Sequence, residues 1–116
     1  MTAEESLSNL KLKSLNFGPV EVSVSVREVA EIAKSYFPNL DIEFVETVAS
    51  NAKESLFLNL DSSLSLKEIN WQPTFSQDFA LNLTFEWWKK LLDNDSTAQE
   101  LCEAEIRLHL KADINN

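Results

Sequence analysis

Apolar and polar residues follow two different periods along this chain, and these periods predict a mixture of helices and strands. Short runs that are apolar or alternate between apolar and polar, as is typical of strands, occupy residues 14–19, 41–46 and 56–61. Apolar residues spaced three and four apart, as on one face of a helix, fill much of the remaining chain. The predicted order is strand, helix, strand, strand, short helix, long helix, helix, which indicates a small, mainly helical α+β fold.

Hydroxyl side chains mark where three of the helices begin. Ser25 with Glu28, and Thr97 with Glu100, have the spacing of a capping box, in which each side chain accepts a hydrogen bond from the other residue's backbone N–H. Ser76 is placed to cap a longer helix. The predicted helices run from Ser25 to Pro38, from the Asp61 region to Ile69, from Ser76 to about Leu92, and from Thr97 to about Leu110.

The two ends of the chain lack such patterns. Residues 1–14 are predicted to be a poorly ordered start and residues 111–116 a disordered tail, which leaves residues 15–110 as one domain. The first residues have no apolar centre of the kind that a signal peptide needs, and no stretch approaches the ~20 apolar residues that span a bilayer. We therefore expect a cytoplasmic protein that does not bind a membrane.

The predicted helix over residues 76–92 carries apolar residues on more than one side, so it is expected to have more than one neighbour. Its free face is predicted to dock on another chain or on a second copy, and Trp88 is the residue expected to face that partner. Trp71, Trp87 and Trp88 could also form a ligand platform, but at helical and helix-end positions such residues more often belong to the core.

A single glycine, Gly18, occurs in 116 residues, where average usage of about 7% predicts about eight. A dinucleotide-binding fingerprint needs three glycines at one strand-to-helix turn, and a P-loop is similarly rich in glycine. We therefore predict that this chain binds no dinucleotide cofactor.

Charge and the reactive side chains narrow the function classes further. The net charge of −9 argues against a nucleic-acid partner, because phosphate backbones are bound by clustered Lys and Arg. Cys102, the one cysteine, lies two helical turns from His109, ~10 Å away, and two ligands do not make a zinc site. Asp61 is placed either as a functional acid at a strand end or as a helix cap, which is the commoner role.

Several short stretches have a distinctive order and spacing. They are residues 16–19 (NFGP), 26–30 (VREVA), 58–61 (LNLD), 69–73 (INWQP) and 84–88 (TFEWW). Over residues 15 to about 110 the chain resembles the C-terminal part of the extended short-chain dehydrogenases that act on sugar nucleotides, and most of all the CDP-glucose 4,6-dehydratases. The resemblance implies the substrate-binding lobe of such an enzyme, without its Rossmann domain.

The resemblance also implies where the chemistry of the family lies. There, an N-terminal Rossmann domain binds NAD, and a Tyr-x-x-x-Lys pair acts with a Thr and an Asp-Glu pair. The sugar is oxidised at C4, water is lost across C5 and C6, and the hydride returns at C6. Here Tyr36 is the one tyrosine and Leu40 stands four residues later instead of a lysine. We therefore expect no catalytic residue and no NAD site in this chain.

By the family pattern, the loop over residues 48–54 contacts the nucleotide. Asn51, Lys53 and Glu54 are the expected substrate-binding residues: Lys53 could offset pyrophosphate charge, and Glu54 could accept a hydrogen bond from a sugar hydroxyl. The alternative for Lys53 and Glu54 is that they are exposed loop charges. This chain departs from the family pattern in lacking the proline and glycine of that loop, in having Lys53 where a His is usual, and in having Asn70 where a glycine precedes the Trp.

Two functional hypotheses result. The first is the C-terminal sugar-nucleotide-binding portion of a CDP-glucose 4,6-dehydratase-like protein, inactive by itself, with CDP-glucose or a related sugar nucleotide as ligand and a Rossmann-domain chain or a second copy as partner. The second is a non-catalytic protein-interaction module, or a degenerate truncated paralogue, with no ligand.

Overall fold

Four helices make up most of the structure. The computed structural model describes residues 14–21, 24–45 and 60–114, and helices cover 60% of these. The helices are α1 (Val26–Tyr36), α2 (Ser63–Ile69), α3 (Gln77–Leu92) and α4 (Ala98–Ile114). None of the four combines the length and the apolar character that crossing a bilayer would require. The expectation of a mainly helical fold is therefore confirmed.

The predicted caps are present at all three helix starts. The Ser25 hydroxyl accepts a hydrogen bond from the Glu28 backbone N–H at 3.2 Å, and Glu28 Oε2 accepts one from the Ser25 N–H at 2.6 Å. Thr97 and Glu100 make the same reciprocal pair, at 3.2 and 2.9 Å. The Ser76 hydroxyl accepts from the Phe79 N–H at 3.2 Å. These bonds satisfy N–H groups that lack partners inside the helix, and they explain why the helices begin where they do.

The last helix is longer than predicted. It continues through residues 111–114, so the prediction of a disordered tail is wrong for these four residues. No glycine or proline interrupts the helix at this point, and each added residue gains a backbone hydrogen bond once the helix has formed. The Thr74 hydroxyl also donates to Asp113 Oδ1 at 3.3 Å. Residues 115–116 and residues 1–13 of the predicted start lie outside the described residues.

The predicted strands are not found where the structure describes them. Residues 14–19 and 41–45 have no strand structure, so the α+β expectation is wrong in these two segments. A strand needs the backbone of a neighbouring strand, and residues 16–18 are instead held by side chains of α2 and the residue before it. The Ser65 hydroxyl donates to the Asn16 carbonyl, and the Ser62 hydroxyl donates to the Gly18 carbonyl at 3.1 Å. Most of the third predicted strand, residues 56–59, lies outside the described residues.

Helix α3 packs against α1 on one side and against α4 on another. The Tyr36 hydroxyl donates to Asn82 Oδ1 at 2.9 Å, and the Tyr36 ring stacks on Phe85. The starts of α1 and α3 are also connected, because the Val24 N–H, two residues before α1, donates to Gln77 Oε1 at 3.2 Å. In the described part of the chain, the buried apolar residues are few: Ala33, Ile69 and Leu101.

The capping box of α1 makes stability depend on acid pH. The Ser25 backbone N–H, and then the Ser25 hydroxyl, hold the pKa of Glu28 below its ordinary value of 4.5. The folded chain therefore binds fewer protons than the unfolded chain in this range, and stability falls as the pH drops below 4.5 through the folded pKa. Urea unfolding at several pH values across this range should show that the free energy of unfolding falls less with decreasing pH for Glu28→Gln than for the natural chain. If the unfolding free energies of the two chains had the same pH dependence, the role of the Glu28 carboxylate would be contradicted.

Candidate functional site

A cleft of about 410 Å³ lies beside α2, and we call it the α2 cleft. Its walls come from three separate stretches: residues 19–20, residues 60–66 at the start of α2, and residues 71–73 just after it. Its volume falls within the range of small-molecule sites. The α2 cleft is therefore the candidate site in the described part of the chain.

Three of the stretches that carry the family resemblance meet around this cleft: NFGP, the last two residues of LNLD, and INWQP. The Phe17 ring packs edge-on against the Trp71 ring, with 4.9 Å between the ring centroids. The two hydroxyl bonds from Ser62 and Ser65 hold the first stretch against α2. The stretches lie far apart in the sequence, so only the tertiary fold brings them together.

Gly18 allows the first stretch to approach the second closely. A Cβ atom added at Gly18 would lie 3.0 Å from the Leu60 Cβ, closer than side chains normally pack. An alanine here would push Pro19 and Leu60 apart, and both residues line the cleft. The chain's one glycine therefore has a packing role beside the wall of the cleft.

Asn70 shapes the opposite wall. Its backbone is left-handed, with φ 55° and ψ 33°, and its N–H donates to the Ser65 carbonyl to end α2. Glycine is the commonest residue at such a position, and asparagine is one of the few others that adopt it readily. Asn70 therefore provides the turn after which Trp71 packs against Phe17.

Asp61 lies at the start of α2 and lines the cleft. Its Oδ1 accepts a hydrogen bond from the Ser63 backbone N–H at 2.9 Å. The Ser63 hydroxyl, and then this N–H, hold the pKa of Asp61 below its ordinary range, so the carboxylate is ionised at neutral pH. Ser62, not Asp61, is the N-cap residue of α2, and Asp61 lies one position earlier, where its carboxylate accepts from the N–H of the first helical residue. The same carboxylate is exposed enough to accept a further hydrogen bond.

The predicted substrate-binding residues Asn51, Lys53 and Glu54 lie outside the described residues, six to nine positions before Leu60 in the sequence. Residues that line the cleft but were not singled out from sequence are Ser62, Ser63 and Gln72. Gln72 belongs to INWQP, and the two serines directly follow LNLD. Position within these stretches was the signal that could have identified them.

The remaining candidates do not form a second site. Cys102 is exposed, and the His109 ring packs edge-on against Phe75 with 4.6 Å between centroids. Among the described residues, no three metal-ligating side chains cluster. Trp87 is half-buried next to Trp88, which is exposed, whereas Trp71 contacts Phe17 and also lines the cleft.

Comparison of the chain with protein-family models, with curated proteins and with solved structures finds no match in any of the three. The resemblance noted in the sequence therefore remains a prediction.

Proposed function

We propose that this chain is the C-terminal, sugar-nucleotide-binding portion of a CDP-glucose 4,6-dehydratase-like protein and does not carry out the reaction by itself. The observation that carries this proposal is the α2 cleft. Stretches up to 54 residues apart, from Phe17 to Trp71, are neighbours around one cavity, and they are the stretches on which the resemblance was based. Sequence similarity confined to unrelated surface positions would not have this arrangement.

The lining of the cleft suits parts of a nucleotide sugar. Trp71, Leu66 and Pro73 provide apolar surface, and Trp71 is an aromatic group on which a base or the apolar face of a sugar ring can pack. Asp61 and Gln72 provide hydrogen-bonding groups for ring hydroxyls. No Lys or Arg is among the residues lining the cleft, so this part of the chain would not hold the pyrophosphate. Lys53 remains the residue that we expect to do so.

The described residues also support the absence of catalysis by this chain alone. The hydroxyl of Tyr36 is used between helices, where it donates to Asn82 at 2.9 Å. It therefore serves helix packing and has no lysine at the family's spacing. We expect the purified chain to show no NAD-dependent turnover of CDP-glucose.

Calorimetric titration of the chain with CDP, CDP-glucose and dTDP-glucose tests the binding part of this proposal. We expect dissociation constants of about 1 mM or lower for the cytidine compounds, which corresponds to about −4 kcal/mol, and weaker binding of dTDP-glucose. Gly18→Ala should weaken binding by about tenfold, which corresponds to about 1.4 kcal/mol, because the added methyl group would force Leu60 of the cleft wall to move. Lys53→Ala should weaken CDP-glucose binding through the loss of a charge partner.

Leu92→Ala is the matched control, because Leu92 is exposed at the end of α3 and does not line the cleft. It should bind all three compounds like the natural chain. No binding of any cytidine compound by a folded natural chain would contradict the proposal, as would equal binding by Gly18→Ala.

A second function, a non-catalytic interaction module, is favoured by a different observation. Large apolar side chains are exposed along α3 and α4, among them Trp88, Leu92, Ile106, Leu110 and Ile114. Contiguous exposed apolar surface of this kind marks interaction sites more often than chance. If the chain binds none of the three nucleotides but associates with itself or with a partner, this function is favoured over the first.

A further inference from the structure

The outward side of α4 carries an apolar row that nothing in the described structure covers. Its members are spaced one helical turn apart: Cys102, Ile106, Leu110 and Ile114. All four are exposed, and Ile106, near the middle of the helix, is 59% exposed. We call this row the α4 outer face. A shallow groove of about 430 Å³ runs along it, beside Glu105 and His109.

The opposite side of α4 is already occupied. Leu101 is buried, and with Ala104 and Leu108 it faces Leu83 and Trp87 of α3. A flank of α4 also contacts the chain before α3, because His109 packs against Phe75 and Asp113 accepts a hydrogen bond from Thr74. The row through Ile106, Leu110 and Ile114 has no such contact among the described residues. Turning the helix about its axis cannot bury both rows, because they project in opposite directions.

Most acidic side chains of α4 lie in its first half and its basic ones lie in the second. Glu100, Glu103 and Glu105 precede Arg107 and Lys111, and Asp113 is the one acidic residue after them. The row next to the α4 outer face, also one turn apart, reads Glu103, Arg107, Lys111, and all three side chains are exposed. A partner that complements this row must present basic groups beside Glu103 and an acidic group beside Lys111.

A second copy of α4, running in the opposite direction, presents that arrangement. A two-fold axis near Ile106 places Ile106 against Ile106 of the other copy and Cys102 opposite Leu110. On the flank, Glu103 then lies between the levels of Arg107 and Lys111 of the other copy, twice by symmetry. The two Arg107 side chains, one residue from the axis, lie near each other, so the two Glu103 side chains must offset this repulsion. A surface that complements itself under a two-fold rotation is the defining property of an isologous dimer interface.

We propose that the chain forms an antiparallel, two-fold symmetric dimer through the α4 outer face. This goes beyond the proposed nucleotide-binding function and does not depend on it, because none of the α2 cleft residues lies on α4. The face is a single helix of 17 residues, about 25 Å long. It is therefore at the small end of specific interfaces, and the dimer is weak and concentration-dependent.

Sedimentation equilibrium of the full chain, over a wide range of concentration, tests the dimer. The natural chain should pass reversibly from monomer to dimer. Ile106→Glu should raise the dimer dissociation constant by more than about tenfold, because it brings two carboxylates together at the axis. The side chain is exposed in the monomer, so the variant should fold, and circular dichroism checks this. Val26→Glu, an exposed apolar position on α1, should dimerise like the natural chain.

Charge reversal separates the specific pairing from general repulsion. Glu103→Lys should weaken the dimer severalfold, because it opposes Lys to Arg107 and Lys111. Reversing the whole row in one chain, with Glu103→Lys, Arg107→Glu and Lys111→Glu, should restore it. The single variant makes the net charge of −9 two units less negative, and the triple variant makes it two units more negative. Net charge alone would therefore give the opposite order.

A natural chain that stays monomeric at every concentration overturns the proposal. So does a dimer that survives Ile106→Glu, and so does a triple variant that dimerises less well than the single one.

Discussion

Replacing Ile69 with alanine is expected to lower the free energy of unfolding by about 2–5 kcal/mol. Ile69 is 8% exposed and lies on the same face of α2 as the fully buried Ser65, one turn earlier. The shorter side chain loses buried apolar surface and leaves a cavity. Because small domains are stabilised by only about 5–15 kcal/mol in total, this loss should be visible as a large shift of the urea midpoint.

Two further variants show whether burial causes this effect. Ile69→Val removes one methylene and should cost about 0.5–1.5 kcal/mol. Leu66 lies in the same short helix but is 47% exposed. Leu66→Ala should therefore lower the free energy of unfolding much less than Ile69→Ala does. Equal costs for Leu66→Ala and Ile69→Ala would contradict the packing described for α2.

Replacing Leu101 with alanine is expected to have an effect of the same size, about 2–5 kcal/mol. Leu101 is 7% exposed and is the side chain of α4 that packs deepest towards α3, beside Leu83 and Trp87. Its loss should separate α4 from α3 before it affects α1, which packs against the other side of α3. Hydrogen exchange should therefore show faster exchange of α4 amides than of α1 amides in this variant.

Leu92→Ala provides the comparison, because Leu92 is also a helical leucine but is 64% exposed at the end of α3. Leu92→Ala should change the free energy of unfolding by no more than about 0.5 kcal/mol, as expected at a surface position. Both variants should be measured at a concentration at which the chain is monomeric. A Leu92→Ala variant as unstable as Leu101→Ala would mean that the end of α3 is buried in solution.

The buried positions explain why the α2 cleft depends on the folding of α2. Ser65 and Ile69 are buried in the same helix whose first turn contributes Ser62 and Ser63 to the cleft. The Ser65 hydroxyl also holds the stretch that carries Gly18 and Pro19 in place through Asn16. A variant that loosens α2 should therefore weaken both folding and nucleotide binding. For this reason the binding test uses Gly18, whose change acts on the cleft wall.

Local patterns in the sequence were sufficient to predict the helices. The Ser25–Glu28 and Thr97–Glu100 boxes are contacts between residues three positions apart, and their geometry follows from the chain itself. The scarcity of glycine likewise excluded a dinucleotide fingerprint without any knowledge of the fold.

The tertiary structure alone decided what happens to residues 14–19. Their pattern fits a strand, but a strand forms only where another strand supplies hydrogen bonds, and the partners here are hydroxyls of Ser62 and Ser65, 44 and 49 residues away. The tertiary structure also decided that Asn70 adopts the left-handed turn and that three distant stretches share one cleft. On α4, it decided that Ile106 faces outward while Leu101 faces α3. Helix starts depend on neighbours in sequence, whereas pairing, cavities and burial depend on which distant surfaces meet.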